Sequence, residues 1–121
     1  MTAVRLFTLE DANRTLPYIR RVLTDLVRDY HEWQDTLAHY ELAAARVRSA
    51  PDGAAAEPGD AERLERRAAA LASAIESYLA EIVAVGAEVK GFGDGLIDFP
   101  GEVDGRPVRW CWKLGEPAVE H

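Results

Sequence analysis

The sequence predicts an α+β protein, mainly α, in which a long antiparallel coiled-coil helical hairpin carries a small antiparallel β-hairpin at its base. Three observations predict this fold. Two segments repeat apolar residues at alternating spacings of four and three, a loop-forming stretch separates them, and a short tail alternates apolar and polar residues. The length of 121 residues fits a single domain over 1–121.

The first repeat predicts a helix over about 9–49. Thr8 is the expected N-cap, with Asp11 three residues later in the position of a capping-box acid. Pro17 removes one backbone donor inside the helix, so we expect a kink or a break between Asn13 and Pro17. The a and d positions of this repeat are Leu16, Ile19, Leu23, Leu26, Tyr30, Trp33, Leu37, Tyr40, Ala44 and Val47.

A low-complexity stretch over 50–59, rich in Ala, Pro and Gly, predicts a loop, and the repeat then resumes in a second helix over about 60–90. Two matched apolar stripes joined by about ten residues favour an antiparallel hairpin in which each helix covers the other. The second stripe consists of Leu64, Ala68, Leu71, Ile75, Tyr78, Ile82, Val85 and Val89.

The tail predicts a β-hairpin over about 96–114 with Asp104-Gly105 as its two-residue turn. Pro100 and Pro107 predict that pairing begins only beyond them, at Phe99 and Val108. The predicted sheet has room for a third strand, from Val4 to Phe7. The turn sets a register in which Phe99 faces Trp110, Ile97 faces Trp112 and Asp98 faces Cys111.

The charge balance excludes several classes of function. The chain has 14 Lys and Arg against 21 Asp and Glu, a net charge of -7, so we expect neither a nucleic-acid partner nor binding to anionic membranes. No apolar run approaches the roughly 20 residues of a membrane span, and the N-terminus lacks the apolar core of a signal peptide. With one cysteine, the chain is expected to be cytoplasmic.

Four residues at the β-hairpin are candidate ligands of a divalent transition metal, because carboxylate, thiolate and imidazole groups bind such ions. The alternative is that the aspartate is paired with Arg109 or Lys113 and that the thiol is only a small side chain. No catalytic constellation stands out, so we expect a non-enzymatic protein without a cofactor. The candidate ligands are Asp98, Cys111, Glu116 and His121.

Apolar residues outside the heptad stripes predict an interaction surface, because a two-helix hairpin has no third helix to cover them. The tryptophan pair of the tail joins this surface unless it packs on the hairpin. We therefore expect a homo-oligomer, a dimer or higher, that serves as an interaction or scaffold module with scope for another protein partner. The alternative function is metal or small-ligand binding. The predicted surface residues are Trp110, Trp112, Leu79 and Val83.

The order of motifs resembles the family of bacterial proteins catalogued as domain of unknown function 2203. The resemblance covers nearly the whole chain. Because that family is uncharacterised, it implies no catalytic or binding residue here. The motifs that carry it are Phe7-Thr8-Leu9-Glu10-Asp11-Ala12-Asn13, Leu16-Pro17, Gly95-Leu96-Ile97-Asp98-Phe99-Pro100 and Cys111-Trp112-Lys113-Leu114-Gly115-Glu116.

Overall fold

The computed structural model describes residues 5–49 and 58–121, and it is mainly α with one antiparallel sheet. The predicted α+β class is confirmed. The predicted loop at 50–59 and the start of the predicted strand at Val4 lie largely or wholly outside the described residues. The elements are α1 (Leu9–Ser49), α2 (Pro58–Val85), β1 (Glu88–Gly91), β2 (Leu96–Val103) and β3 (Arg106–Lys113).

Helix α1 begins at the predicted capping box. The Thr8 backbone N–H donates to Asp11 Oδ2 at 3.1 Å, and the Asp11 N–H donates to Thr8 Oγ1 at 3.0 Å. Each side chain thus satisfies one otherwise unpaired donor of the first turn. The helix continues through Pro17 without a break, contrary to one form of the prediction. Because proline has no backbone N–H, the helix passes this point without the hydrogen bond that would reach the Asn13 carbonyl.

The two helices run antiparallel, as their contacts show. Glu32 of α1 forms an ion pair with Arg67 of α2, while Tyr40, further along α1, shares a cleft with Ala61, further back along α2. Burial is concentrated at the end of the pair that meets the sheet. On α1 the last buried residue of the described chain is Thr36, and beyond it the helices cover each other only partly.

Helix α2 ends earlier than predicted, at Val85, and the chain over 86–90 is not helical. Gly86 has a φ of 111°, its N–H donates to Val83 O at 2.9 Å, and the N–H of Ala87 donates to Ile82 O at 3.3 Å. This pair of bonds is the Schellman arrangement that closes a helix at a glycine in the left-handed region. The heptad spacing to Val89 misled the prediction, because Val89 belongs to β1.

The sheet has the order β1-β2-β3. Its third strand is therefore β1 after α2, whereas Phe7 contributes only an isolated parallel bridge to Gly101. The predicted register of β2 and β3 is confirmed, with Asp98 opposite Cys111 and the aromatic pairs as counted. Asp104 and Gly105 have φ values of 52° and 76°, the positive pair that a type I′ turn requires.

The ladder does not stop at the prolines, which corrects the prediction. Pro100 is paired with Arg109 and Pro107 with Glu102, and the strands stay in register up to Val103 opposite Arg106. In a two-residue hairpin these proline positions are non-hydrogen-bonded ones, so the missing N–H groups would point away from the partner strand. The prolines therefore remove no bond from this ladder.

The core lies between the sheet and the parts of the helices nearest to it, which are the N-terminal part of α1 and the C-terminal part of α2. Phe7 and Phe99 are in contact there, with ring centroids 5.1 Å apart, and Trp112 is completely buried beside Ile97. The glycine-rich turn before β2 packs on α1, where the Phe92 ring lies 5.5 Å from that of Tyr30. One face of the sheet thus packs on the helices, and the polar residues of β2 and β3 lie on the opposite face.

Candidate functional site

The outer face of the sheet carries a network of charged side chains around Asp98. Asp98 is 5% exposed, and its Oδ1 accepts a hydrogen bond from Arg109 Nη1 at 3.1 Å. The same nitrogen lies 3.4 Å from Glu88 Oε2, and Lys90 Nζ donates to Glu88 Oε1 at 3.0 Å. The hydrogen bond from Lys90 is the largest cause of the lowered pKa of the Glu88 carboxyl. Acidic and basic side chains therefore alternate along this network. It matches the alternative in which Asp98 is paired with Arg109.

The predicted metal ligands are only partly brought together. Asp98 and Cys111 face each other across β2 and β3, and the thiol is exposed. The Glu116 carboxylate instead accepts the backbone N–H of Lys113 at 2.6 Å, which closes a turn. His121 lies beside Cys111 through its main chain, since its O accepts the Cys111 N–H at 3.0 Å.

Within residues 5–49 and 58–121, no group of three or more His, Cys, Asp or Glu side chains is arranged to hold a metal ion. Part of the reason is the pairing of Asp98 with Arg109, because the guanidinium already binds the Oδ1 atom of this carboxylate. The metal site therefore stays a prediction without a preformed ligand set.

The tryptophans pack against the rest of the chain, which is the alternative to an exposed patch that the sequence left open. Trp112 is fully buried, and its indole Nε1 donates to Glu116 O at 3.1 Å. Trp110 is half-buried, and its Nε1 donates to Phe7 O at 2.7 Å. The assignment of Trp112 to an interaction surface is corrected, because a side chain without exposed area contacts no partner. Of the other predicted surface residues, Leu79 is half-buried and Val83 is 58% exposed.

Helix α2 carries an exposed surface rich in alanine and serine. Opposite the residues that pack on α1, we define the outer face of α2 as the exposed set Ala69, Ala70, Ser73, Glu76, Ser77, Ala80, Val83 and Ala84. Four of them, Ala70, Ser73, Ser77 and Ala80, follow spacings of three and four, the spacing of a helix-packing seam. Val83 adds a larger aliphatic side chain at one edge.

The segment Gly59–Val85 is long and apolar enough to cross a membrane by length and composition alone. Its mean hydropathy reaches 1.5 over an 18-residue window, yet only 17% of that window is buried. Over 68–85 the only charged side chains are Glu76 and Glu81. An apolar helix with so little buried surface has a free face that another apolar surface would stabilise.

Charge is unevenly distributed along this helix. Its N-terminal end mixes both signs, with Asp60, Glu62 and Glu65 beside Arg63, Arg66 and Arg67, whereas the C-terminal end has only Glu76 and Glu81. Arg63 is paired with Asp60, and Arg67 with Glu32. In the described part of the chain, Arg66, Glu76 and Glu81 have no ion-pair partner.

Two groups of functional interest escaped the sequence analysis. Asn13 and Arg20 of α1 bind the main chain of the C-terminal residues, with Asn13 Nδ2 donating to Val119 O at 2.9 Å. Buried Asp29 of α1 lies beside Tyr78 of α2, and burial, followed by the Asp29 charge, raises the pKa of the Tyr78 phenol. The available signal was that Asn13 and Asp29 stand inside a helix, where asparagine and aspartate are unfavourable.

Comparison with known proteins gives one match. The model of the family described as "Uncharacterized conserved protein (DUF2203)" matches residues 5–121. The comparisons with curated proteins and with solved structures found no match.

Proposed function

The chain belongs to the DUF2203 family of uncharacterised conserved proteins, and from that premise we propose that it is a non-enzymatic, self-associating interaction module of the cytoplasm. The outer face of α2 is the surface through which two copies associate. The observation that carries the proposal is the contrast within the segment Gly59–Val85 between a mean hydropathy of 1.5 and a buried share of 17%. A second copy is the partner whose surface has the same chemistry.

The residues on this face suit contact between helices. Alanine and serine allow two helix axes to approach to about 8 Å, and they lose little side-chain entropy on burial. Eighteen residues at about 1.5 Å each supply a contact of about 27 Å. The heptad spacing of both helices supports the view that each chain is itself a coiled-coil hairpin, so that a dimer would place four helices side by side.

The charge distribution supports an antiparallel pairing of the two α2 helices. If Ala70 of one copy lies beside Ala80 of the other, the Arg66 end of each helix comes within about one turn of the partner's Glu81. A parallel pairing would instead place like charges together. The antiparallel arrangement thus gives a partner to Arg66 and to Glu81, which have none in the described part of a single chain, while the two copies of Glu76 come near each other at the centre.

A lipid bilayer is the competing partner for an apolar helix, and the structure weighs against it. The inner face of α2 already packs on α1, with Leu71 and Ile82 buried. Insertion would break that packing and bring Glu76 and Glu81 into hydrocarbon, at about 2.5 to 3.5 kcal/mol for each acidic side chain near the centre. A second copy covers the same face while leaving α1 in place.

The test is the mass of the protein in solution, by sedimentation equilibrium at about 10 μM, for the wild type and two variants. Ala80→Glu introduces a charge on the outer face of α2, where burial against a partner would be costly. Ala38→Glu makes the same change at an exposed position of α1 and is the matched control. We expect a dimer for the wild type and for Ala38→Glu, and a monomer with unchanged helicity for Ala80→Glu.

Two outcomes would contradict the proposal. The first is a monomeric wild type at concentrations up to about 100 μM. The second is flotation of the wild type with neutral lipid vesicles when Ala80→Glu does not float, which would assign the face to membranes. The alternative function, metal binding at Asp98 and Cys111, is a separate matter that elemental analysis of the purified protein decides.

A further inference from the structure

The last residues of the chain lie in a groove between α1 and the outer edge of β3. We call residues 115–121 the C-terminal segment. Asn13 binds it as a neighbouring strand would, because its Nδ2 donates to Val119 O at 2.9 Å while its Oδ1 accepts the Val119 N–H at 2.8 Å. A single side-chain amide thus satisfies both main-chain groups of one residue.

The contacts on either side of Val119 also go to the main chain. Arg20 Nη2 donates to the carbonyl oxygens of Glu116 and Pro117 at 3.2 and 2.7 Å. The indole of Trp112 donates to the same Glu116 oxygen, and the Arg20 guanidinium lies 5.6 Å from the Trp112 ring centroid. These groups bind main-chain carbonyls at a bend, over 117–118, and do not depend on the identity of the side chains there.

Side-chain recognition in the groove is limited to one position. Val119 is 2% exposed and belongs to the core, whereas Glu116, Pro117, Glu120 and His121 are exposed. The edge of β3 supplies one more main-chain contact, the Cys111 N–H bond to His121 O at 3.0 Å. The groove therefore fits a peptide that carries an aliphatic residue at this position, preceded by a bend whose carbonyl oxygens bind Arg20.

We propose that this groove is a peptide-docking site whose resident occupant is the C-terminal segment, and that the partner it accepts is the same segment of a second copy. The segment follows an exposed turn, where the Glu116 N–H donates to Lys113 O at 3.0 Å. One buried aliphatic side chain and a few main-chain bonds hold it, so it opens at a much smaller free energy than global unfolding. Exchange of identical segments between copies keeps the contacts of Asn13, Arg20 and Cys111 and gives up only the hinge turn between Lys113 and Glu116.

The test uses the full chain with Val119→Asp, which displaces its own segment and leaves every groove residue intact. The probe is a synthetic peptide of residues 114–121, and the readout is the NMR signal of the Trp112 indole N–H. We expect saturable binding of this peptide, and binding at least about tenfold weaker for the same peptide with Asp in place of valine. The wild-type chain should take up no peptide below about 1 mM, because its own segment competes at an effective concentration of that order.

Hydrogen exchange at the Cys111 amide reports whether the segment has left. Protection in Val119→Asp equal to that of the wild type, or equal binding of the two peptides after release, would overturn the docking site. Unlabelled wild-type protein added at about 1 mM, the effective concentration of its own segment, to isotope-labelled Val119→Asp should shift the Trp112 signal as the peptide does, and failure to do so would overturn the second copy as partner.

If Val119→Asp does not fold, Val119→Gly replaces it in all these measurements, since it deletes the apolar contact without burying a charge. The groove does not include the outer face of α2, so the Ala80→Glu variant is expected to behave in these measurements as the wild type does. The inference and the proposed function can therefore fail separately.

Discussion

At the scale of single residues, the closest packing surrounds Gly101, where the start of the chain meets β2. A Cβ atom at this position would lie 2.7 Å from Phe7 O and would clash with the indole nitrogen of Trp110. That nitrogen donates to Phe7 O, so one missing methyl group allows both the parallel bridge and the indole hydrogen bond. The requirement is for space at this position.

Gly101→Ala is therefore expected to lower the free energy of unfolding by about 2 to 3 kcal/mol, through overpacking and loss of the indole bond. Urea denaturation followed by tryptophan fluorescence measures the change. Gly59→Ala is the matched control, because no atom lies within 4 Å of its Cβ and alanine favours the helix there. Equal stability of the two variants would contradict this account of Gly101.

Residue pairs within one hairpin could be predicted from the sequence, and pairs that depend on tertiary structure could not. Counting outward from Asp104 placed Asp98 opposite Cys111, because a two-residue turn sets every following pair. Nothing comparable places Asn13 against Val119, which is 106 positions away. The sequence identified the aromatic stripe of β3, but the burial of Trp112 depends on how the helices cover that face.

At the scale of elements, local interactions define the start of α1 and the end of α2. The sequence predicted the first of these correctly, but not the second. The capping box at Thr8 is a pattern of two residues at a fixed separation, which a sequence displays. The end of α2 competed with a continuing heptad, because Val85 and Val89 are spaced as in the helix. Gly86 ended the helix nonetheless, since its left-handed backbone is accessible to glycine.

The capping box predicts a pH dependence of stability. The hydrogen bond from the Thr8 backbone N–H is the main cause of the lowered pKa of Asp11. A lowered pKa in the folded state stabilises the protein above the unfolded value, near 3.8, and this contribution is lost as the pH falls through the native pKa. We expect Asp11→Asn to lower Tm at pH 7 and to match the wild type well below pH 3.8.

The measurement is thermal denaturation by circular dichroism from neutral to acidic pH. Glu10→Gln is the control, because Glu10 precedes Asp11, is exposed and only pairs with Arg14 on the helix surface. A Tm difference between Asp11→Asn and the wild type that stays constant with pH would argue against the capping charge.

At the scale of the whole molecule, net charge and exposed apolar surface are distributed differently along the chain. Residues 1–49 hold seven basic and seven acidic side chains, while residues 50–121 hold seven and fourteen, so the net charge of -7 belongs entirely to the second part. The outer face of α2 lies in that same part, whereas exposed large apolar side chains occur in both parts, among them Leu42 of α1 and Val83 of α2. The start of α2 is balanced, so the acidic surplus is shared by the connecting stretch 50–57, by Glu76 and Glu81 of α2, and by the tail.

Association through that face predicts that stability rises with protein concentration, because a partner that binds only the folded state stabilises it by mass action. A hundredfold increase in concentration should raise the Tm of the wild type by several degrees. The Tm of Ala80→Glu should not change with concentration, and that of Ala38→Glu should follow the wild type. Differential scanning calorimetry measures all three, and a wild-type Tm independent of concentration would count against the dimer.

The positions of Pro100 and Pro107 also protect the hairpin against misfolding. A slip of one residue between β2 and β3 would move one proline, at least, to a position where the ladder needs a donor. The same slip would turn the aromatic side chains that face the core toward water. Incorrect alignments of these strands, whether within one chain or between chains during synthesis, therefore lose both hydrogen bonds and apolar burial. The prolines thus act against aggregation while leaving the native pairing complete.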